Sequence, residues 1–243
     1  MTKRNRSIIF AIVAIVALAC ACPTTGVPTE NPPPATFAPI NTVPPIFTDE
    51  PVPSLNVLLQ DDFSSDANFE SYSSDDGSAG VNNGVYVVRS TGDLWQWGRS
   101  TAQFSDSVIE VDVTMVAGPA NNNAAFGIIC RLAENSDGSI NGYMLAISLD
   151  GYYTILAFEN SSPVPLVDWT LTDAVRLGSE VNTLRATCNG SNLSLEVNGQ
   201  LAGSATTTSS GPTSGSIAFT ATSFEVDSPL AEGHFDNLII SQP

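Results

Sequence analysis

Much of this chain is written in period two. At residues 108–115, Ile109, Val111, Val113 and Met115 alternate with Glu110, Asp112 and Thr114, which puts apolar side chains on one face of an extended strand and polar ones on the other. Tyr143, Leu145, Ile147 and Leu149 repeat the pattern, run into Asp150-Gly151, and residues 152–158 resume it. Leu184, Ala186 and Cys188 precede Asn189-Gly190, and Leu193, Leu195 and Val197 precede Asn198-Gly199. Such pairs suit the type I′ hairpin turn, whose two central residues need φ > 0. Further runs stand at 86–89, 124–131, 216–220 and 234–241, and no window carries a convincing helical period. About a dozen short strands with regular turns predict an all-β, antiparallel sandwich.

That reading covers residues 55–243. Before them, residues 23–54 hold ten of the sixteen prolines. Proline fixes φ and removes a donor, so this stretch makes neither helix nor ladder. It reads as a disordered linker, roughly 100 Å long if fully extended as polyproline II. Residues 1–22 open with Lys3, Arg4 and Arg6, continue through an apolar run and end on Ala19-Cys20-Ala21-Cys22. This is the layout of a secretory signal. The run is shorter than the roughly 17–25 residues a spanning helix needs.

A cysteine at the cleavage site suits the bacterial lipoprotein route, with Cys20 or Cys22 lipidated, although Leu18 is out of register with the usual motif in both cases. Simple secretion after Ala17-Leu18-Ala19 is the alternative. The expectation is therefore an exported, surface-displayed protein that meets the membrane only through its amino-terminal lipid. Once the signal is removed, five arginines and no lysine face 25 acidic residues. That field repels phosphate backbones and anionic lipids, which argues against nucleic-acid partners and electrostatic membrane docking. The chain is expected to be a monomer.

Cys130 and Cys188 are the only cysteines beyond the signal. In an oxidising compartment two such cysteines pair. Both are expected to point into the core, from strands that neighbour each other in one sheet or converge at its edge, because opposing sheets lie about 10 Å apart. Neither sits in a CxxC pattern, so redox or metal chemistry is not expected of them.

Asp61-Asp62-Phe63, Gly127-Ile128-Ile129-Cys130-Arg131, Asp150-Gly151-Tyr152-Tyr153, Asp168-Trp169, Asn182-Thr183-Leu184-Arg185, Val197-Asn198-Gly199 and Phe235-Asp236-Asn237-Leu238 occur in this order. The series resembles the concanavalin A-like jelly rolls, and more narrowly the LamG-like and 3-keto-disaccharide hydrolase-like domains of bacterial surface proteins. The resemblance covers nearly all of residues 58–241. It implies a jelly-roll β-sandwich and leaves activity open, since that superfamily holds lectins, glycan hydrolases and adhesive modules.

Glu110-Val111-Asp112 is the segment to test for catalysis, because laminarinase-type members use a Glu-x-Asp strand that continues to a second glutamate. A retaining glycosidase needs two carboxyl groups about 5–5.5 Å apart. Here Thr114 and Met115 stand where that glutamate belongs, so Glu110 and Asp112 read as the polar face of their strand, with ligand contact as the lesser reading. His234, the one histidine, has no elbow-type serine motif to serve. Residues 135–138 suggest an EF-hand loop only superficially, since with Gly138 at position six Ala133 falls at position one and Met144 at position twelve, where carboxylates are required.

No cofactor is implied. A structural Ca2+ between Asp61 or Asp62 and Asp236 is an alternative to ordinary turn roles, because first and last strands of jelly rolls often lie side by side. Trp95 and Trp97 share a strand face and offer a stacking platform for sugar rings, although aromatics in sandwiches are more often core. Trp169 reads as core or edge.

Three functions follow. The leading one is a non-catalytic extracellular module that binds carbohydrate or another envelope ligand. A glycan-processing hydrolase of the 3-keto-disaccharide hydrolase-like kind and a purely structural envelope protein are the alternatives.

Overall fold

In a computed structural model of the chain, the described residues are 56–92, 94–208, 211–227 and 230–243. The signal, Cys20, Cys22 and the proline-rich segment lie outside them. The described residues form fifteen strands and no helix. In chain order these are β1 (Val57–Asp61), β2 (Tyr72–Ser73), β3 (Gly77–Asn82), β4 (Val85–Ser90), β5 (Gln96–Phe104), β6 (Ser107–Ala117), β7 (Ala124–Glu134) and β8 (Ile140–Ser148). They continue with β9 (Tyr152–Glu159), β10 (Ser162–Leu171), β11 (Asn182–Asn189), β12 (Asn192–Val197), β13 (Gln200–Thr206), β14 (Gly215–Ser223) and β15 (Ala231–Ser241).

The strands make two antiparallel sheets. One has nine strands in the order β13-β12-β11-β6-β15-β4-β3-β2, with β1 also paired to β15. The other has six, in the order β10-β9-β8-β7-β14-β5. Their facing sides bury Ile109, Val111 and Val113 of β6 against Phe126 and Ile128 of β7, Leu145 of β8, and Phe219 of β14. Phe219 anchors an aromatic group, with its ring 4.6 Å from Phe235 and 5.2 Å from Phe69, both stacked. The architecture is the expected jelly-roll sandwich, and β6 follows its alternation as read: Ile109, Val111, Val113 and Met115 are buried while Glu110, Asp112 and Thr114 reach solvent in part.

Turn chemistry departs from the expectation in two hairpins. Asn198-Gly199 has φ > 0 at both positions, as type I′ requires. At Asp150-Gly151 only Gly151 has φ > 0, at 96°, and its N–H donates to the Ser148 carbonyl over 3.2 Å. The connection is thus a three-residue loop that ends on a left-handed glycine. Asn189 pairs with Asn192, so the second loop is Gly190-Ser191 with φ > 0 at Gly190 alone. Each glycine still supplies the conformation that a side chain would resist.

Cys130 and Cys188 are bonded, with Cα atoms 6.8 Å apart. The expectation that their strands neighbour each other in one sheet is corrected. Cys130 lies on β7 of the six-stranded sheet and Cys188 on β11 of the nine-stranded sheet, so the bond crosses the sandwich. A bulge explains the close approach. Between Cys130 and Ala133 the register of β7 against β8 shifts, Arg131 takes φ 54°, and its side chain turns inward to 3% exposure. Arg131 there donates to the carbonyls of Ser105 (3.3 Å) and Gly190 (2.8 Å) and to the Asp106 carboxylate (2.6 Å). The β5–β6 turn, which passes between the sheets, and the β11–β12 turn of the nine-stranded sheet are thereby drawn onto β7 beside the disulfide.

Candidate functional site

The outer face of the six-stranded sheet differs from an ordinary solvated face. Strands β7 and β8 are buried on both sides, and Ile129, Met144, Ala146 and Ala218 form a second apolar cluster with Leu156 and Phe158, separate from the inter-sheet core. An outer face open only to water would be polar. The signal stood in the sequence, since Ala124-Ala125-Phe126-Gly127-Ile128-Ile129-Cys130 shows no alternation at all.

Trp95 and Trp97 pack half-buried against this floor. Gly98 fixes their direction: it faces the core, where an added Cβ would fall 1.9 Å from the Tyr86 hydroxyl, so its neighbours Trp97 and Arg99 face out. The two indoles line a groove of about 420 Å³ with Glu70, Tyr72, Gln96, Arg99, Glu134 and Ile140. Arg99 donates through Nε to Glu70 (3.0 Å) and through Nη1 to Glu134 (2.9 Å), and its backbone N–H donates to Glu70. The hydrogen bonds it donates to Glu134 and then Glu70 raise the guanidinium pKa from its ordinary value. The Tyr72 hydroxyl donates to Gln96 Oε1 over 3.0 Å, and burial pushes its phenol up. At neutral pH the groove therefore offers aromatic faces beside neutral hydrogen-bonding groups and an arginine already paired twice.

Two aromatics outside the expected pair complete the surface. Phe224 packs edge to face against Trp95 at 5.9 Å and against Trp169 at 5.9 Å. Phe224 and Trp169, both exposed, line a second pocket of about 310 Å³ with Asn123, Ser148, Asp150 and Tyr152. Trp169 is an edge residue, as one of its two readings held. Phe224 escaped notice because it follows the last residue of β14, where no strand period marks it.

Glu110 and Asp112 belong elsewhere. Their strand β6 lies in the nine-stranded sheet, and they occupy its solvent side, whereas Trp97 lies on β5 of the six-stranded sheet, so the acidic pair and the tryptophans do not share a sheet face. Glu110 lies 3.7 Å from Arg185 Nε, and Asp112 accepts from Thr183 Oγ1 (2.6 Å) and Asn237 Nδ2 (3.1 Å). Alternation had turned them away from the core, and the sheet assignment, which is a tertiary property, turned them away from the tryptophans. His234 pairs with Glu232 over 2.8 Å on the same nine-stranded sheet.

The three aspartates considered for Ca2+ are not brought together. First and last strands do pair, but Asp61 opposes Leu238 while Asp236 opposes Asp112. Asp61 accepts from the Phe63 N–H (2.8 Å) and Asn68 Nδ2 (3.0 Å), Asp62 from the Ser64 N–H (3.1 Å), and Asp236 from the Asn237 N–H (2.7 Å). Each carboxylate serves its own turn. Among the described residues no group of three or more His, Cys, Asp or Glu side chains is placed to hold a metal ion.

The fold is a concanavalin A-like jelly roll. Among solved structures, the chain is similar to a β-glucanase from Bacillus licheniformis at 13% identity and a TM-score of 0.54, covering 76% of this chain and 97% of that one. It is also similar to a protein of unknown function with a galectin-like fold from Bacillus subtilis, at 9% identity and a TM-score of 0.57, covering 77% and 96%. No family model and no curated protein matches it.

Proposed function

We propose that this chain is an exported surface protein, anchored through a lipid on Cys20 or Cys22, whose sandwich domain binds glycan without cleaving it. The observation that carries the reading is the pair Trp95 and Trp97, half-buried on an apolar floor that an idle outer face would not have. Aromatic faces of this kind present apolar area to the C–H faces of sugar rings at low entropic cost. The similarity to a β-glucanase supports glycan as the ligand class. Binding is preferred to hydrolysis because Glu110 and Asp112 lie on the other sheet, and Glu70 and Glu134 in the groove are both engaged by Arg99.

A glycan array probed with the mature full-length protein tests the ligand class. The Trp95→Ala and Trp97→Ala variants, checked for unchanged melting, are expected to lose about tenfold or more in affinity, equivalent to about 1.4 kcal/mol. Full retention by both variants, or product release from a bound glycan, overturns the reading. Mass spectrometry of the mature amino terminus tests the anchor, and an unmodified terminus removes it while leaving the glycan reading intact.

A further inference from the structure

We infer that the ligand is an extended, uncharged glycan chain lying across the strand ends of the six-stranded sheet, with Phe224 joining two binding pockets into one track; this rests on the glycan reading above.

The placement of the polar and aromatic groups carries the first half. Trp95 immediately precedes β5, Phe224 follows β14, Asn123 precedes β7, Ser148 closes β8, Tyr152 opens β9 and Trp169 lies near the end of β10. Because the strands are antiparallel, these ends meet on one rim of the sheet. All six strands thus contribute a residue to this rim, and from Trp95 the groove continues along β5 toward Glu134 and Ile140 at the opposite ends of β7 and β8. The groove at Trp95 and the pocket at Trp169 are separate concavities, and the Phe224 ring lies between, 5.9 Å from each indole. A single sugar ring occupies only one of the two concavities. A chain is needed to engage both.

Phe224 is held in place for this task. Its N–H donates to the Asn123 carbonyl over 2.9 Å. The next residue, Glu225, accepts from Asn121 Nδ2 (2.6 Å) and Asn123 Nδ2 (2.7 Å), and its N–H donates to Ser223 Oγ (3.2 Å). Two loops are clasped together directly behind the ring. A ring fixed in this way loses little freedom when a ligand covers it.

Charge carries the second half. The carboxylates lining the two concavities are Glu70, Glu134 and Asp150, with Glu225 next to Phe224 in sequence, and among the described residues Arg99 is the only cation lining either. Arg99 is already paired with two of those carboxylates. A uronate or sulfated chain would therefore meet net negative charge with no guanidinium free to receive it.

Isothermal titration with the mature protein tests both halves, using cello-, malto- and chito-oligosaccharides of two to six units and oligogalacturonates of matched length. The affinity for the preferred neutral series is expected to rise with length by about tenfold or more, and the uronates are expected to bind far more weakly. Phe224→Ala should flatten the dependence on length, weakening the hexamer by a larger factor than the disaccharide. Phe224→Leu, which keeps apolar bulk, should flatten it partly and guards against a folding defect. Equal affinity for dimer and hexamer, an unchanged length profile in Phe224→Ala, or preference for uronates overturns this inference and leaves the glycan reading standing. Failure of every oligosaccharide to bind overturns both.

Discussion

Cys130 and Cys188 join β7 to β11 across the sandwich, with their Cα atoms 6.8 Å apart and a sequence separation of 58. Both are fully buried on the inner faces. Closing a loop of that length stabilises by roughly 4 kcal/mol in the chain-entropy estimate, before any native strain is deducted. Replacing both by alanine is expected to lower the melting temperature by several degrees, read by calorimetry, and to leave glycan affinity unchanged because the track lies on the opposite face of the sheet. A loss of affinity with intact folding would tie the bond to function.

Arg131 beside that bond is a charge buried to 3% exposure, and its carboxylate partner Asp106 is half exposed. Asp106→Ala leaves the guanidinium with the carbonyls of Ser105 and Gly190 and the face of Tyr143, and no counter-charge. The expected cost is about 1–3 kcal/mol, below the figure for a wholly buried pair because water reaches Asp106. Urea unfolding measures it. A cost near zero would mean that solvent enters around Arg131.

Glu225 is the group whose titration reports on the clasp behind Phe224. Amide hydrogen bonds from Asn123 and then Asn121 lower its pKa from the ordinary 4.5. A folded value below the unfolded one means that the clasp contributes stability above the ordinary glutamate range and loses it as pH falls through the lowered value. Carbon-detected NMR titration of the Glu225 carboxyl is expected to give a midpoint below 4.5, and Asn123→Ala should return it toward that value. A midpoint at or above 4.5 in the parent protein would mean that the clasp is not closed in solution.

Asp61, Asp62 and Asp236 are committed to their own turns, so removal of Ca2+ with a chelator is expected to leave the melting temperature unchanged. Asp61→Ala, by contrast, frees the Phe63 N–H and the Asn68 amide and should cost about 1–2 kcal/mol by the same thermal measurement. A clear fall on chelation would restore a structural cation to the loops around these residues.

What was legible in the sequence, and what was not, divides along a physical line. The short-range content was readable because it depends on side-chain direction within a few residues. Alternation at Ile109 to Met115 names the buried face of β6, and Asn198-Gly199 names a turn that only residues tolerant of φ > 0 can make. Strand β10 was missed for a short-range reason too. Pro163 and Pro165 argue against a ladder, and they are tolerated here because β10 forms the sheet edge, where one side needs no donors. Asn160-Ser161 also carries a φ > 0 pair without the glycine that would have signalled it.

Period two states that Trp97 and Arg99 share a face and that Glu110 and Asp112 share another, yet it is silent on which sheet each strand joins. Strand pairing set that: β5 bonds to β14, and β6 lies between β11 and β15, so two surfaces that look alike in sequence ended on opposite sides of the sandwich. The same long-range pairing brought Phe224 between Trp95 and Trp169, and carried Cys130 to Cys188 through a bulge at Arg131. Alternation is local geometry, which the residues encode directly. The joining of sheets is a property of the packed core, where hydrophobic burial and backbone hydrogen bonds between distant segments decide together.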